Sequence, residues 1–498
     1  MLKQVELNKQ HIKNDPFKFQ LPEQNANFVG RQTELEQIDN TLAKEKFFCL
    51  IGSGGLGKTA LAVQYVNQNL AKKKYSRVIW LNAEYNLMLS QIQTYMEVVY
   101  EIQPVAMSDV DLIDAFYTIL DDIDTCVVID NAENEESIKP FLPIGKNIDV
   151  IITSRYKGWN FPSLTLATFT LADAALCLEK RLGKKISAEE VERLTKSLGG
   201  LPLAFTQATG YLMQQPNMSI ATYCELFEKE QSNLLALGDP ELGTVSTTLT
   251  LALNNIRQKD SQIEPVLSVA AYLSGDNLSQ VLLEGFFYSK IENAIQLLSA
   301  YSILSVEGSK IKMHRLTQAV MRLIHQESGL FEEQHKEILQ FILSLLNYDE
   351  KNLVDVARVS ELIPHGLVLG MFENKKLSPE DLGRLWYKIG YHQEYAVGNY
   401  MQAKICFEKD LEITEKYFGK DHPSTGITLG NLSNSYGELG DHEKQRDFLL
   451  RILEITEKYF GKDHPSIGIT LSNLGASYVS LGDYEKGIDF LLRALEIE

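Results

Sequence analysis

The stretch GSGGLGKT at residues 52–59 contains the residue types that bind a nucleotide phosphate. Gly52, Gly57, Lys58 and Thr59 fit the pattern G-x-x-x-x-G-K-[ST]. Glycines let successive backbone N–H groups turn toward one anion, and a helix N-terminus adds a partial positive charge. The lysine of such a loop neutralises the β- and γ-phosphates, and the threonine hydroxyl binds Mg²⁺. A glycine-rich turn without a ligand is the alternative. The predicted contacts to ATP or ADP are Gly52, Ser53, Gly54, Gly55, Leu56, Gly57, Lys58, Thr59 and Ala60.

A second polar group follows the apolar run in TCVVIDNAEN. Asp130 ends this run, where a nucleotide-binding loop fold places the carboxylate that holds Mg²⁺ together with Thr59. The next residue is Asn131, whose amide cannot take a proton from water, so a general base is missing there. Glu133 is the candidate substitute. The alternative for Asp130 is a helix N-cap or turn residue.

A third polar group, Thr153, Ser154 and Arg155, follows the apolar run in DVIITSR. The carboxyl ends of parallel strands meet at one edge of the sheet, where ligands bind. Arg155 is therefore predicted to sense the γ-phosphate and to act in catalysis with Lys58 and Asp130. A surface arginine in a local ion pair is the alternative.

Short apolar runs alternate with amphipathic stretches up to about residue 170, which predicts βαβ units and a parallel sheet. The candidate strands are Phe47–Ile51, Arg77–Leu81, Cys126–Ile129 and Val150–Thr153. The later sequence is helical in character, except for YSILSVEGSKIKMHR at 301–315. Its two short alternating runs flank EGS and indicate a hairpin, consistent with a small winged-helix unit.

The C-terminal part repeats itself, since KYFGKDHPS occurs at 416–424 and again at 458–466. Repetition at this spacing predicts stacked helical hairpins that bury their apolar faces against one another. The array reads as tetratricopeptide-like, close to the longer repeats of the kinesin light chains. Ala403, Gln445 and Gly487 occupy one equivalent position, where a small residue is usual, so looser packing is expected at Gln445.

Six motifs resemble, in order and spacing, those of NB-ARC proteins, which are signal-transducing ATPases with numerous domains (the STAND class). They are FVGRQTELEQI (28–38), GSGGLGKT, VVIDNAEN, IITSR, GGLPLAFTQATGYL (199–212) and KMHRLTQAVMR (312–322). The resemblance covers about residues 28–328. It implies an α/β nucleotide-binding domain with a parallel sheet, followed by an all-α helical lid, a winged-helix unit and an α-solenoid of tetratricopeptide-like hairpins.

The resemblance also implies roles for individual residues. Phe28, Val29 and Arg31 match the segment that packs on adenine and ribose, and Pro202 matches a proline that lies against the base. His314 matches the histidine that reaches the β-phosphate of ADP and locks a closed form. Without the resemblance, Pro202 is a first-turn helix proline and His314 a core histidine.

Two positions depart from the pattern of plant and animal members. Asn131 stands where a second acid is usual, which bears on the rate of hydrolysis. Arg315 stands where the residue after the histidine is usually acidic, which bears on the locking contact.

The motifs and the repeat predict a division of the chain into consecutive parts. These are a lead-in segment (1–27), the nucleotide-binding domain (28–168), a helical lid (169–255), a winged-helix domain (256–328), a helical connector (329–383) and about three tetratricopeptide-like repeats (384–498).

Composition narrows the classes of partner. Apolar residues make up 44% and charged residues 23% of the 498 residues, as in a soluble protein with a sizeable core. The net charge of −18 argues against binding nucleic acid. Signal-peptide and membrane-spanning patterns are not found, so a cytoplasmic protein without a membrane partner is expected. The cysteines lack metal-site spacing and are predicted to be buried thiols in a reducing compartment: Cys49, Cys126, Cys177, Cys224 and Cys406.

These features favour a switch that is closed with ADP and open with ATP. Its repeats would bind a protein partner, its open form would assemble with copies of itself, and slow hydrolysis of ATP to ADP and phosphate would reset it. Two other classes stay open: a conventional kinase-like enzyme and a winged-helix DNA-binding regulator. The helix candidate LTQAVMRLIHQ is mostly apolar, which favours packing in a core over reading DNA.

Overall fold

The computed structural model describes residues 17–84, 87–100, 109–233, 240–276, 278–349, 352–372, 374–461 and 464–497. They belong to two compact units. The first lies within residues 1–91 and 115–334, and the second within residues 92–114 and 335–498. The described residues between 92 and 114 thus belong to the second unit. Of the predicted lead-in segment, residues 1–16 lie outside the described residues.

The first unit contains a six-stranded sheet in the order β1-β3-β4-β5-β2-β6, and every neighbouring pair is parallel. The predicted α/β class and the four predicted strands are confirmed. The strands are β1 (Phe17–Phe19), β2 (Phe47–Ile51), β3 (Arg77–Asn82), β4 (Thr125–Ala132), β5 (Asp149–Ser154) and β6 (Ser163–Thr165).

The central strands are apolar in their middle residues, as expected where helices cover both faces of a parallel sheet, and all but β2 carry polar residues at their ends. Phe48, Cys49 and Leu50 of β2 are at most 1% exposed. The two edge strands, β1 and β6, have only three residues each and include exposed positions. Such short, partly polar segments give no hydrophobic run, and neither was predicted.

Helices lie between the strands of the parallel sheet, and further helices make up most of the chain from residue 171 to residue 327. They are α1 (Gln32–Leu42), α2 (Lys58–Ala71), α3 (Met88–Tyr100), α4 (Asp109–Leu120), α5 (Glu135–Ile138), α6 (Leu171–Leu182), α7 (Ala188–Ser197), α8 (Pro202–Gln214), α9 (Ile220–Asn233), α10 (Pro240–Ile256), α11 (Ile263–Tyr272), α12 (Gln280–Phe287), α13 (Glu292–Ala300) and α14 (Arg315–Glu327).

A small antiparallel sheet in the order β7-β9-β8 lies among the last of these helices, as in a winged-helix unit. Its strands are β7 (Leu278–Ser279), β8 (Leu304–Glu307) and β9 (Lys310–Met313). The predicted hairpin is confirmed, and Gly308 takes the positive φ of 60° that its turn requires. Helix α14 packs against α10 and α11.

Besides the parts of α3 and α4 between residues 92 and 114, the second unit contains the remaining helices, the first of which begins just before it. They are α15 (Phe331–Leu345), α16 (Leu353–Gly370), α17 (Pro379–Tyr391), α18 (Tyr400–Phe418), α19 (Pro423–Glu438), α20 (His442–Phe460), α21 (Pro465–Ser480) and α22 (Tyr484–Leu495). Residues His392–Val397 form a π-helical turn after α17.

The predicted period of the repeats is confirmed. Helices α18, α20 and α22 begin at residues 400, 442 and 484, a step of 42 residues. Each begins after a residue whose side chain accepts a hydrogen bond from the first turn: Asn399, Asp441 and Asp483. The histidines of KDHPS, His422 and His464, cap α19 and α21 in the same way.

The larger residue at the small-residue position is accommodated by a glycine on the preceding helix. A Cβ atom on Gly437 would lie 2.3 Å from Nε2 of Gln445, so the amide fills the space that Gly437 leaves. At Gln445, where the sequence predicted looser packing, the side chain is therefore packed against Gly437.

The prediction that the five cysteines are buried thiols is confirmed, whereas the reducing compartment stays a prediction. No described helix combines the length and the apolar character that crossing a membrane requires.

A buried carboxylate in the repeats should make their stability depend on pH. Asp410 of α18 is 4% exposed and accepts a hydrogen bond of 2.8 Å from the Thr428 hydroxyl of α19. Burial raises the pKa of Asp410 to about 6. The folded state therefore binds the proton more tightly than the unfolded chain, and stability falls as pH rises from about 4 through about 6.

We expect Asp410→Asn to stabilise this region at pH 8 by on the order of 1–3 kcal/mol and to have little effect near pH 4, because the charge is then already absent. Urea-dependent hydrogen exchange of peptides from residues 400–438 measures the difference in the intact protein. Asp489→Asn, at an exposed position of α22, is the matched control. Equal destabilisation by Asp410→Asn at both pH values would contradict the assignment.

Candidate nucleotide-binding site

The predicted phosphate-binding loop lies between the end of β2 at Ile51 and the start of α2 at Lys58. Gly55 and Gly57 have φ values of 80° and 90°, which side chains with a Cβ rarely adopt. A Cβ on Gly57 would meet nothing within 4 Å, so the requirement there is conformational and the space beside the backbone is open. The loop and the helix N-terminus together have the form of an anion site.

Lys58 folds back over this loop. Its ammonium group donates hydrogen bonds of 2.7 Å to the carbonyl oxygens of Gly52 and Ser53. The positive charge is thereby held above the loop, where phosphate oxygens would lie. The residues therefore fit a nucleotide phosphate.

The carboxylate of Asp130 is 6% exposed at the end of β4. It accepts hydrogen bonds from the hydroxyls of Thr59, at 3.0 Å, and Thr153. Burial raises the pKa of Asp130, while these hydroxyls and the charge of Arg315 lower it. Carboxylate and hydroxyl oxygens are the ligands that Mg²⁺ prefers, so Thr59 and Asp130 fit this ion. When bound, Mg²⁺ would neutralise charge on the phosphate oxygens.

Asn131 sits at an irregularity of the sheet rather than in a catalytic position. The register between β4 and β5 shifts between Ile129 and Ala132, and Asn131 takes a φ of 63°. Asparagine tolerates this left-handed conformation better than most residues. Its side-chain amide donates to Asp130 at 3.1 Å and its backbone N–H to Thr153 at 2.9 Å. The amide thus helps to orient the carboxylate.

Glu133 is exposed beyond this irregularity. Its role as a general base stays a prediction.

Arg155 lies beside the loop, as predicted from its place after β5. A Cβ on Gly54 would be 3.1 Å from the guanidinium Nη2, so the absence of a side chain at Gly54 lets the charge approach. The side chain is otherwise exposed. This placement suits a group that senses the γ-phosphate, although that contact stays a prediction.

The beginning of α8 contacts the other side of the loop. The backbone N–H of Leu203 donates to the carbonyl oxygen of Gly55 at 3.2 Å, and a Cβ on Gly55 would be 3.2 Å from that of Leu203. Pro202 precedes Leu203 at the first position of the helix and is half-buried. It therefore lies close to the loop, and its contact with a base stays a prediction.

His314 reaches the same region from the start of α14. Its Nδ1 accepts a hydrogen bond from the Leu316 N–H at 3.1 Å, which leaves Nε2 to carry the proton of the neutral ring. Desolvation by surrounding protein, followed by the charges of Arg315, Arg155 and Lys58, lowers the pKa of His314 to about 4. As a whole residue, His314 is nevertheless exposed to solvent. His314 is thus a neutral donor at pH 7.

Arg31 is tied to protein groups. Its guanidinium donates to Glu34 at 2.8 Å and to the carbonyl oxygen of Ala167 at 2.7 Å, and it lies over the ring of Phe169. Phe28 and Val29, just before it, are half-buried. Arg31 therefore fixes the start of α1, and contacts of this segment with adenine and ribose stay predictions.

Sequence reasoning missed an ion-pair cluster at the same edge of the sheet. Arg315 forms salt bridges with Glu84 and with Asp276, the latter at 3.1 Å. Burial raises the pKa of Glu84 to about 7, although Arg315 opposes the shift. Glu84 follows β3, so the rule that led to Asp130 and Arg155 could have found it. Asp276 carried no such signal.

Comparison with known proteins finds matches in two regions of the chain. Residues 31–162 match the NB-ARC domain, and residues 381–444 and 445–497 match the tetratricopeptide repeat. A nucleotide-binding leucine-rich repeat (NLR)-like protein of Hyaloscypha variabilis is 22% identical over 81% of this chain and 45% of its own length. A probable disease resistance protein of Arabidopsis thaliana is 28% identical over 39% of this chain and 24% of its own length. The chain therefore spans less than half of these relatives.

Among solved structures, a Signal Transduction ATPase with Numerous Domains protein with a tetratricopeptide repeat sensor, from Pyrococcus horikoshii, has a TM-score of 0.50 and 16% identity. The likeness covers 97% of this chain and 78% of that one, and at this identity it concerns the fold. The loop at Gly52–Thr59, the carboxylate at Asp130 and the helices that repeat every 42 residues lie within the matched regions. The chain thus carries an NB-ARC domain over residues 31–162 and tetratricopeptide repeats over residues 381–497.

Proposed function

We propose that the protein is a nucleotide-dependent switch, in which ADP stabilises a closed arrangement of the first unit and ATP an open one. The supporting observation is that the phosphate-binding loop contacts three later segments of the chain. Arg155 and Leu316 lie against Gly54, and Leu203 donates to Gly55. A ligand on the loop therefore has contacts through which it can favour one arrangement of these segments.

The number of phosphates would decide which arrangement is favoured. The neutral His314 suits hydrogen bonding to the β-phosphate of ADP, whereas Arg155 suits the additional charge of a γ-phosphate. A shift from about 1:99 to about 99:1 needs roughly a 10⁴-fold preference, which is more than one hydrogen bond supplies. Several of these contacts must therefore change together.

Hydrolysis of ATP to ADP and phosphate would return the switch to its closed form. Thr59 and Asp130 would hold Mg²⁺, Lys58 would neutralise the phosphates, and Arg155 would stabilise the charge of the transition state. We propose that this reaction is slow, because in a switch hydrolysis serves to end the ATP-bound form after a delay and not to supply a product.

The repeats would bind a protein partner, and the open form would assemble with copies of itself. Exposed aromatic side chains recur at the ends of equivalent helices in two successive repeats, Tyr417 and Phe418 on α18 and Tyr459 and Phe460 on α20. Such residues are common in protein interfaces. The NLR-like and disease-resistance relatives are consistent with a role in signalling.

The DNA-binding alternative is disfavoured by the surroundings of α14. Leu316, Val320 and Met321 are buried, and Arg322 donates to the carbonyl oxygen of Ala271. Together with the ion pairs of Arg315, this leaves both arginines of the helix bonded within the protein. A recognition helix needs side chains that reach base edges. For the enzyme alternative, rapid ATP turnover stimulated by a small-molecule acceptor would be the supporting result.

We expect Lys58→Ala to abolish retention of nucleotide, because the loop then loses its only side-chain charge. The measurement is to denature the purified protein and to identify and quantify the released nucleotide by chromatography. Lys72→Ala, at the exposed C-terminus of the same helix, should retain ADP as the wild type does. Stoichiometric ADP in Lys58→Ala would contradict the assigned site.

We expect His314→Ala to accelerate ADP dissociation about 10-fold or more, the effect of one hydrogen bond to a charged group. The substitution also removes the cap of α14, so His314→Asn is the informative partner variant. Asparagine can still cap the helix, but its side chain is too short to reach the β-phosphate as His314 would. Stopped-flow displacement of a fluorescent ADP measures both rates. A wild-type rate in His314→Asn would mean that His314 acts only as a cap.

A further inference from the structure

Glu84 occupies a place beside Asp130 that none of the sequence motifs assigned. In the pairing of β3 with β4, Asn82 lies opposite Asp130, and the N–H of Ala83 donates to the carbonyl oxygen of Asp130 at 2.9 Å. Glu84 is the next residue along the chain. Its carboxylate therefore belongs to the edge of the sheet that carries the candidate Mg²⁺ ligands.

The usual place for a general base is filled by a residue that cannot accept a proton from water. Asn131 is bonded to Asp130 and lies at the irregularity of β4. Glu133 is exposed beyond it. A base for hydrolysis should instead be a carboxylate that is partly shielded from solvent and close to the metal ligands, and the Glu84 side chain is 23% exposed.

We propose that Glu84 is the general base of ATP hydrolysis, and that Arg315 is a positioning residue that holds Glu84 in an ion pair while the first unit is closed. The inference rests on the proposed function. In the reaction, Glu84 would accept a proton from water while the water oxygen bonds to the γ-phosphorus. The bond from that phosphorus to the β–γ bridging oxygen would break, and its electron pair would remain on ADP.

The charges around Glu84 fit this arrangement. Arg315 and Arg155 lower the pKa of Glu84, whereas Asp276 and Asp130 raise it, and burial is the largest influence. A carboxylate paired with a guanidinium is a weaker base and is not free to approach water. Since Arg315 lies on α14, a movement of this helix would break the pair and raise the basicity of Glu84. Arg315 would thus couple the winged-helix unit to hydrolysis.

The test is single-turnover hydrolysis of radiolabelled ATP by the full chain, with the affinity for a fluorescent ATP measured on the same preparations. Glu84→Gln should lower the rate by about 10²-fold or more while its affinity stays near that of the wild type. Glu136→Gln, an exposed residue of α5, is the control for removing a charge near this edge. A wild-type rate in Glu84→Gln, or loss of hydrolysis in Glu133→Gln instead, would overturn the proposal.

Arg315→Ala should raise the rate about fivefold, the usual value of one partly exposed ion pair. Its rate should also increase with pH through a single ionisation, which the double variant with Glu84→Gln should lack. An unchanged rate in Arg315→Ala would remove it as the restraint. If the variants bind ATP but neither the wild type nor Arg315→Ala hydrolyses it, this inference is wrong, whereas the proposed nucleotide-dependent switch is not contradicted. If the wild type binds no nucleotide, the proposed function itself fails.

Discussion

The buried carboxylate of Asp130 is the group around which the nucleotide edge of the sheet is arranged. A carboxylate removed from water is stable only when donors surround it. Those donors come from separate parts of the chain: Thr59 from the helix after the loop, Thr153 from the neighbouring strand and Asn131 from the irregularity beside it. All three donors bond to this one carboxylate. Its position therefore fixes the loop, the strand ends and the candidate Mg²⁺ ligands relative to one another.

The same edge brings segments from distant parts of the chain to the candidate phosphate-binding loop. Glycines at 54 and 55 allow Arg155 and the start of α8 to approach the backbone of the loop. His314 and Arg315 stand together at the start of α14, one as a neutral donor and the other in ion pairs with Glu84 and Asp276. Side chains from the later helices thus lie close to the backbone of the loop, where a bound phosphate would be within their reach.

The sequence predicted those features that depend on local pattern. The buried central strands are continuous apolar runs, and the loop has a fixed spacing, so the residues themselves indicate Phe47–Ile51 as a strand and Gly52–Thr59 as the loop that follows it. The period of 42 residues likewise follows from repeated letters and is the spacing of the helices.

The features that were missed depend on contacts between segments far apart in the chain. Nothing near Arg315 in the sequence indicates that it pairs with Glu84, 231 positions away. The role of Asn131 required knowledge of the register between β4 and β5. The space for Gln445 depends on Gly437 in the neighbouring helix, which a comparison of repeats position by position does not reveal.

The three-residue strand β1 has a practical consequence for work with fragments. Phe17–Phe19 pairs along Arg77–Ile79 of β3 and forms one border of the parallel sheet. A fragment begun at the first recognisable motif, near residue 28, would leave the backbone N–H and C=O groups of β3 without their neighbour. Uncovered strand borders of this kind recruit other chains, so such a fragment would be prone to self-association for reasons unrelated to any assembly of the intact protein.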